Sequence, residues 1–275
     1  MHDTFQRSCQ HWSEEGRDEM EKFYTLASVD YQYLAEAVDW KNWIEEQQEM
    51  VGKKNLKILD VACGSGKFPL ALAKFSNVAD ARIFPVDYSL LDPSKFSISE
   101  TRDVLPFPFV ADAEYESTLQ GLVCRPSEFD IVWAIHALYA VPVNELEIAI
   151  ERFIFATKRV GFIAHATKNS HYIRFYQSYL DGFKDVVTQP FSAAEQIIDI
   201  FSGLKKKIEV KKISYQNTVS KNSGKLLEGY LQRCLFDNTI SLEMMLENPC
   251  TGAYLDECLK DETWCFNQEV LLIFL

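Results

Sequence analysis

Leu56-Lys57-Ile58-Leu59-Asp60-Val61-Ala62-Cys63-Gly64-Ser65-Gly66-Lys67 is an apolar run that stops abruptly in small residues and continues into a helix-like segment over residues 68–75. An apolar run closed by an acid and glycines predicts a buried parallel strand, a tight turn and a helix N-terminus. Backbone N–H groups there stay free to meet a ligand. A nucleotide-like cofactor is expected over this turn. A dinucleotide fingerprint requires a third glycine three residues after Gly66, where Pro69 stands. A phosphate-binding P-loop requires glycine at Val61 and serine or threonine at Phe68. Neither template is met.

The chain has 275 residues, 47% of them hydrophobic and 13% aromatic, which suits one large α/β domain with an appendage. Its net charge of -12 argues against a nucleic-acid partner or an anionic membrane surface, both of which select basic patches. Lys205-Lys206-Lys207, with Lys211 and Lys212, follows a predicted helix end and reads as a solvated cap. The seven cysteines include no C-x-x-C pair, so neither a disulfide framework nor a metal site is expected. Residues 1–20 lack the apolar core of a signal peptide, and no uncharged stretch is long enough to span a bilayer. These features lead us to expect a soluble cytoplasmic protein.

Residues 1–19 are polar and expected to be mobile, whereas 20–50 carry apolar residues at helical spacing. A second strand is predicted over 81–87, with Pro85 weakening its pairing. Asp87 lies 21 positions beyond Gly66, where a doubly wound fold holds ribose hydroxyls on a carboxylate. A third strand over 105–113 is expected to leave through Asp112. A fourth, starting at Phe129, brings Ala134, Ile135 and His136 to the carboxyl end of the sheet, where ligands sit. Asn144 is expected to open the next helix, before a fifth strand over 160–165. Ser192 is expected to cap a helix that runs to Gly203. A strand over 208–215, helices over 226–258 and a strand over 269–275 complete the chain. The expected fold is an α/β, doubly wound, Rossmann-like seven-stranded sheet. Residues 1–50 form an N-terminal helical segment covering the site, and 51–275 form the main domain with a helical cap insertion at about 221–264.

The turn resembles motif I of the class I S-adenosylmethionine-dependent methyltransferases, acid-x-Gly-x-Gly-x-Gly, with Asp60 as the acid and Ala62 in place of the first glycine. The resemblance implies S-adenosylmethionine as cofactor and S-adenosylhomocysteine as product. It also implies cofactor contacts from Tyr24, Asp60, Ala62, Gly64, Gly66, Asp87, Tyr88, Asp112, Ala113, Ala134 and Ile135, with Asp112 at the adenine. The segment Ile135-His136-Ala137-Leu138-Tyr139-Ala140-Val141, the helical insertion and Phe266-Asn267-Gln268 resemble the histamine N-methyltransferase group of small-molecule enzymes. That likeness implies acceptor contacts from His136, where the group has glutamine, and from Gln268. Tyr31, Tyr139, His165 and His171 are further candidates for the acceptor side.

Methyl transfer from a sulfonium is an in-line displacement, so the protein chiefly holds the acceptor at attack distance. A carboxylate needs only orientation. A hydroxyl or ammonium must first lose a proton, for which histidine is suited. His136 is therefore the candidate catalytic residue, as orienting group or base, and a structural histidine accounts for its position equally well. Because His136, His165 and His171, with Lys168 and Arg174 nearby, can orient an anion, oxygen is favoured over nitrogen, with a carboxylate among the options. The acceptor is expected to be a small metabolite or short peptide. The alternatives are a histamine-like small-amine N-methyltransferase and a non-catalytic S-adenosylmethionine-binding protein. A nicotinamide oxidoreductase would need the glycine that Pro69 replaces.

Overall fold

The computed structural model describes residues 4–52, 55–80, 82–184 and 188–275. Three helices lead in: α1 (Thr4–His11), α2 (Arg17–Glu36) and α3 (Trp40–Met50). The order then alternates through β1 (Leu56–Val61), α4 (Lys67–Phe75), β2 (Val86–Asp92), α5 (Lys95–Val104) and β3 (Phe109–Glu116). It continues with β4 (Phe129–Ile135), α6 (Leu146–Ala156), β5 (Thr157–Ala166), α7 (His171–Phe183) and α8 (Ala194–Gly203). The last elements are β6 (Glu209–Ser220), α9 (Gly224–Leu235), α10 (Leu242–Glu247), α11 (Pro249–Cys258), the short β7 (Leu259–Lys260) and β8 (Thr263–Phe274).

The strands form one mixed sheet in the order β3-β2-β1-β4-β5-β8-β6, with β7 paired to β8. β1 to β5 are parallel, whereas β8 runs antiparallel to both β5 and β6. This is a Rossmann-like α/β fold. Its strand order reverses between β1 and β4, where open α/β sheets bind ligands beyond the carboxyl ends of their strands. Val61 pairs with both Leu91 and Ala134, so the exits of β1, β2 and β4 meet at that end.

Burial explains which strands form where. β4 is buried at every position, as a continuous apolar run at the sheet centre should be. One face packs Trp40, Phe68, Trp133 and Phe162, with Trp40 and Phe162 ring centroids 5.0 Å apart. The other face packs Val132, Ile163, Ile150, Phe153 and Phe201 against α6 and α8. Each such side chain contributes about 1.5–3 kcal/mol through burial. A third cluster joins α2, α7, α9 and α11 through Tyr172, Phe175, Tyr230, Tyr254 and Phe266.

The sheet differs from the sequence expectation at its second and third strands. β2 starts at Val86, directly after Pro85, which lacks the N–H a central strand needs. Ala81, the first residue of the predicted strand, lies outside the described residues. β3 runs four residues past Asp112, because an edge strand need not be apolar and its burial pattern is mostly exposed. β6 and β8 pair over twelve positions, well beyond the predicted spans. The polar start of the chain is also structured. Thr4 Oγ1 and Tyr176 Oη are 2.9 Å apart, and Arg7 donates to Tyr179 Oη at 2.9 Å and to the Leu235 carbonyl at 3.2 Å. Residues 1–3 lie outside the described residues. Ser192 is not a cap: its hydroxyl donates to the Leu138 carbonyl, and α8 begins at Ala194. Asn144 lies in a short 3-10 turn, Val143–Glu145, that precedes α6. No helix among the described residues is long and apolar enough to cross a membrane.

Candidate functional site

The turn after β1 alternates three left-handed residues: Ala62 at φ 53°, Gly64 at 57° and Gly66 at 68°. The Cys63 N–H donates to the Leu91 carbonyl at 3.2 Å and the Gly66 N–H to the Cys63 carbonyl at 3.2 Å, so these two are taken within the fold and not free for a ligand as the sequence led us to expect. The two glycines are required for different reasons. A Cβ on Gly66 would lie 2.8 Å from Val104 Cγ2, so α5 packs where a side chain would go. A Cβ on Gly64 would meet nothing nearer than Tyr24 Oη at 3.8 Å, so that side of the turn is open. The Gly64 N–H donates to Asp92 Oδ2 at 3.2 Å, and Thr101 Oγ1 donates to the Gly64 carbonyl at 2.8 Å.

Asp60 and Tyr88 lie beneath the turn. The Tyr88 hydroxyl donates to Asp60 Oδ2 at 2.7 Å and receives the Trp133 indole N–H at 3.1 Å. Burial pushes the Asp60 carboxyl up to about 7. These groups satisfy each other inside the sheet, where both are buried. Ala134 and Ile135 are likewise buried within β4.

Asp87 is corrected by the strand limits. It is the second residue of β2, at the opposite end of the sheet from the turn, and accepts from Asn55 Nδ2 at 2.7 Å. The acid at the exit is Asp92, 95% hidden from solvent, whose other oxygen receives the Ser94 N–H at 2.8 Å. Burial pushes its carboxyl up to about 6. Ser89-Leu90-Leu91-Asp92-Pro93, an apolar run closed by an acid, was the signal that could have found it. Asp112 and Ala113 are corrected in the same way: both lie mid-strand in β3, with Asp112 exposed beside Ser89. The exit of β3 brings Thr118, Leu119 and Gln120 to a cleft that also touches Val61, Asp92 and Ser94, covered by Phe5 and Ser8 of α1.

That cleft shares Ser8, Trp12, Ala137 and Ala140 with a second cavity, lined by Asp30, Tyr31, His136, Tyr139, Tyr172 and Arg233. His136 leaves β4 at φ 54°, a left-handed conformation that histidine tolerates better than most residues, and its N–H donates to the Ala164 carbonyl. Its Nδ1 lies 2.6 Å from Tyr139 Oη, which also receives the Ala166 N–H at 3.3 Å. With the phenolic proton placed on the shorter bond, Nδ1 is the acceptor and Nε2 carries the ring hydrogen. Nε2 is buried and has no partner among the described residues. Burial, with His165 nearby, lowers the His136 pKa to about 3, so the ring is neutral.

The remaining predicted acceptor residues divide. Tyr31 and Tyr139 line the cavity, and Tyr24 lies against the turn. His165 stacks on the Tyr139 ring at 4.1 Å, 3.0 Å from the Ser192 carbonyl through Nε2; burial lowers its pKa to about 4. His171 sits outside the cavity lining, 2.9 Å from the Tyr254 hydroxyl and packed on Phe266 at 4.3 Å. Burial lowers its pKa to about 3, so neither of these histidines brings the positive charge expected of them. Gln268 is one layer back, accepting from Ser170 and donating to Asn217 at 3.0 Å. Arg174 pairs with Glu257, and Lys168 is exposed.

Asp30 and Arg233 were missed. Asp30 is buried and accepts from the Tyr172 hydroxyl at 2.5 Å and from Asn217 Nδ2 at 2.9 Å. Burial pushes its carboxyl up to about 6. Both residues sit on amphipathic helices among other charged residues, and no local pattern marks them.

No protein-family model and no curated protein matches the chain. Solved structures do. A protein of Bacillus halodurans C-125 assigned as a methyltransferase has a TM-score of 0.54 at 12% identity, over 84% of this chain and 96% of that one. The magnesium protoporphyrin IX methyltransferase ChlM of Synechocystis PCC 6803, with bound SAH, has a TM-score of 0.51 at 11% identity, over 98% and 99%. The YcgJ protein of Bacillus subtilis has a TM-score of 0.51 at 12% identity, over 84% and 97%. The fold of this chain is the Rossmann-like α/β fold that these proteins share.

Proposed function

We propose that this chain is an S-adenosylmethionine-dependent methyltransferase acting on a small metabolite or short peptide. The observation that carries the reading is the continuity of two spaces. A cleft at the strand exits, lined by Val61 at the end of β1 and by Asp92, shares Ser8, Trp12, Ala137 and Ala140 with an aromatic cavity faced by His136. The open side of Gly64 and the polar exits of β2 and β3 suit a nucleoside with a charged tail. Ala62 to Gly66 would hold the amino-acid part, Asp92 the ribose diol, and Thr118 to Gln120 the adenine. When bound, S-adenosylmethionine supplies a methyl group on a sulfonium, ready for in-line displacement.

The protein's own part is positioning. Tyr31, Tyr139 and Tyr172 wall the acceptor and exclude water, with Ser8 of α1 and Phe23, Asp30 and Tyr31 of α2 contributing to the same wall from within the N-terminal segment 1–50. The Nε2–H of neutral His136 donates to the acceptor and holds it at attack distance. A neutral donor of this kind suits an acceptor that is already nucleophilic, which favours oxygen, a carboxylate foremost. A small-amine acceptor, as in the histamine N-methyltransferase group, is the second reading. The Asp30 carboxylate among tyrosine rings favours it, because such a cage attracts cations. Incubation with S-adenosylmethionine and panels of carboxylic acids, phenols and amines tests the proposal by product mass. A methylated carboxylic acid or phenol is the expected product. No methylated product from any panel, with S-adenosylhomocysteine still bound, would leave a non-catalytic binding protein.

A further inference from the structure

We propose that Arg233 anchors an anionic group on the methyl acceptor, so that the acceptor is an apolar or aromatic acid; this rests on reading the cavity beside His136 as the acceptor site. Arg233 lies on α9, in the helical insertion, and is 1% exposed, yet it lines the same cavity as His136. Its guanidinium stacks over Trp12 at 4.1 Å, and Nη1 lies 3.5 Å from His11 Nδ1. Nε and Nη2 have no partner among the described residues. Those two nitrogens form one edge of the guanidinium fork, the edge that takes both oxygens of a carboxylate.

A buried cation without a hydrogen-bonded counter-charge is costly, and no acid among the described residues bonds to the free edge. Asp30 is occupied by Tyr172 and Asn217, and Asp237 by Lys184, Tyr179 and Thr239. Glu19 favours the charged form electrostatically, without a hydrogen bond to the free edge. Burial lowers the Arg233 pKa to about 10, which leaves it charged at neutral pH. Burial and Arg233 itself lower the His11 pKa to about 4, so His11 accepts from the guanidinium and does not compete with it. The cavity that Arg233 lines is walled by Trp12, Phe23, Tyr31, Tyr172 and Phe191, rings that suit an aromatic acid.

Calorimetry with benzoate, and with benzamide as its uncharged counterpart, tests the assignment. The titrations use the full chain, with and without saturating S-adenosylhomocysteine, as wild type, Arg233→Gln and Arg233→Lys. Circular dichroism and melting confirm folding. Benzoate should bind the wild type, weaken at least tenfold in Arg233→Gln and weaken less in Arg233→Lys, which keeps the charge without the fork. Benzamide should bind weakly to all three, and S-adenosylhomocysteine affinity should not change. Equal benzoate affinity in wild type and Arg233→Gln, or no benzoate binding to the wild type, overturns the proposal. A loss confined to S-adenosylhomocysteine also overturns it, by assigning the guanidinium to the cofactor's own carboxylate. Arg233-dependent benzoate binding by a wild type that does not bind S-adenosylhomocysteine would sink the methyltransferase reading and leave an anion site.

Discussion

At the level of single residues, His136 shows how environment selects a role. Sequence position alone left it between base, orienting group and packing residue. The bond with Tyr139 places the ring hydrogen on Nε2, and burial holds the pKa near 3, far below the value of a histidine that titrates in neutral solution. The imidazole is therefore neutral across pH 5–8, with a buried Nε2 donor that no described residue accepts from, on a side chain that lines the cavity. In single-turnover assays with the acceptor from the product screen, His136→Gln, which retains a side-chain donor, should keep the rate within about tenfold. His136→Ala should lose about 10²-fold through misplacement of the acceptor. The wild-type profile should show no limb near 6.5. A limb there, or a 10²–10⁴-fold loss in His136→Gln, would instead make it a general base.

At the scale of elements, legibility followed burial. β1 and β4 occupy the sheet centre, so their residues had to be apolar and their closing turns small, and both could be read directly. β2 was displaced in the reading by the apolar residues before Pro85, and β3 by its polar edge character. Both shifts moved the expected ligands, Asp87 and Asp112, away from the strand exits. The helix α1 was hidden for a different reason: buried hydrogen bonds from Thr4 and Arg7, more than an apolar stripe, hold it in place. In α7, His171 reads as reactive in sequence and is packing in the fold, between Phe175, Tyr230 and Phe266. Its folded pKa of about 3 lies below the unfolded value near 6.5, so the unfolded chain binds a proton first as pH falls. The stability this residue contributes is complete above pH 6.5 and is lost as pH drops toward 3. The slope is about 1.4 kcal/mol per pH unit. His171→Phe should thus lose less melting temperature than wild type between pH 7 and pH 5, by roughly 2 kcal/mol of stability over that window. Parallel melting curves for the two proteins would contradict this.

On the scale of the whole molecule, the proposed acceptor cavity is assembled from α2, the exit of β4, α7 and α9, elements far apart in the chain. That is why Asp30 and Arg233 escaped a reading that works from local pattern, whereas the turn over β1, built from one continuous segment, did not. The same assembly brings the proposed cofactor cleft and acceptor cavity together at Trp12 and Ala137, as the transfer of a small group between two bound molecules would require. The claim on which all of this depends is that the nucleoside lies over the β1 turn and against Asp92. Titration calorimetry of S-adenosylhomocysteine into wild type, Asp92→Ala and Asp87→Ala tests it most directly. Charge-assisted hydrogen bonds contribute about 1.5–3 kcal/mol each. The account predicts binding to the wild type, a loss of at least tenfold in folded Asp92→Ala, and no change in Asp87→Ala. Absence of binding to the wild type, or a loss in Asp87→Ala with Asp92→Ala unaffected, would contradict it.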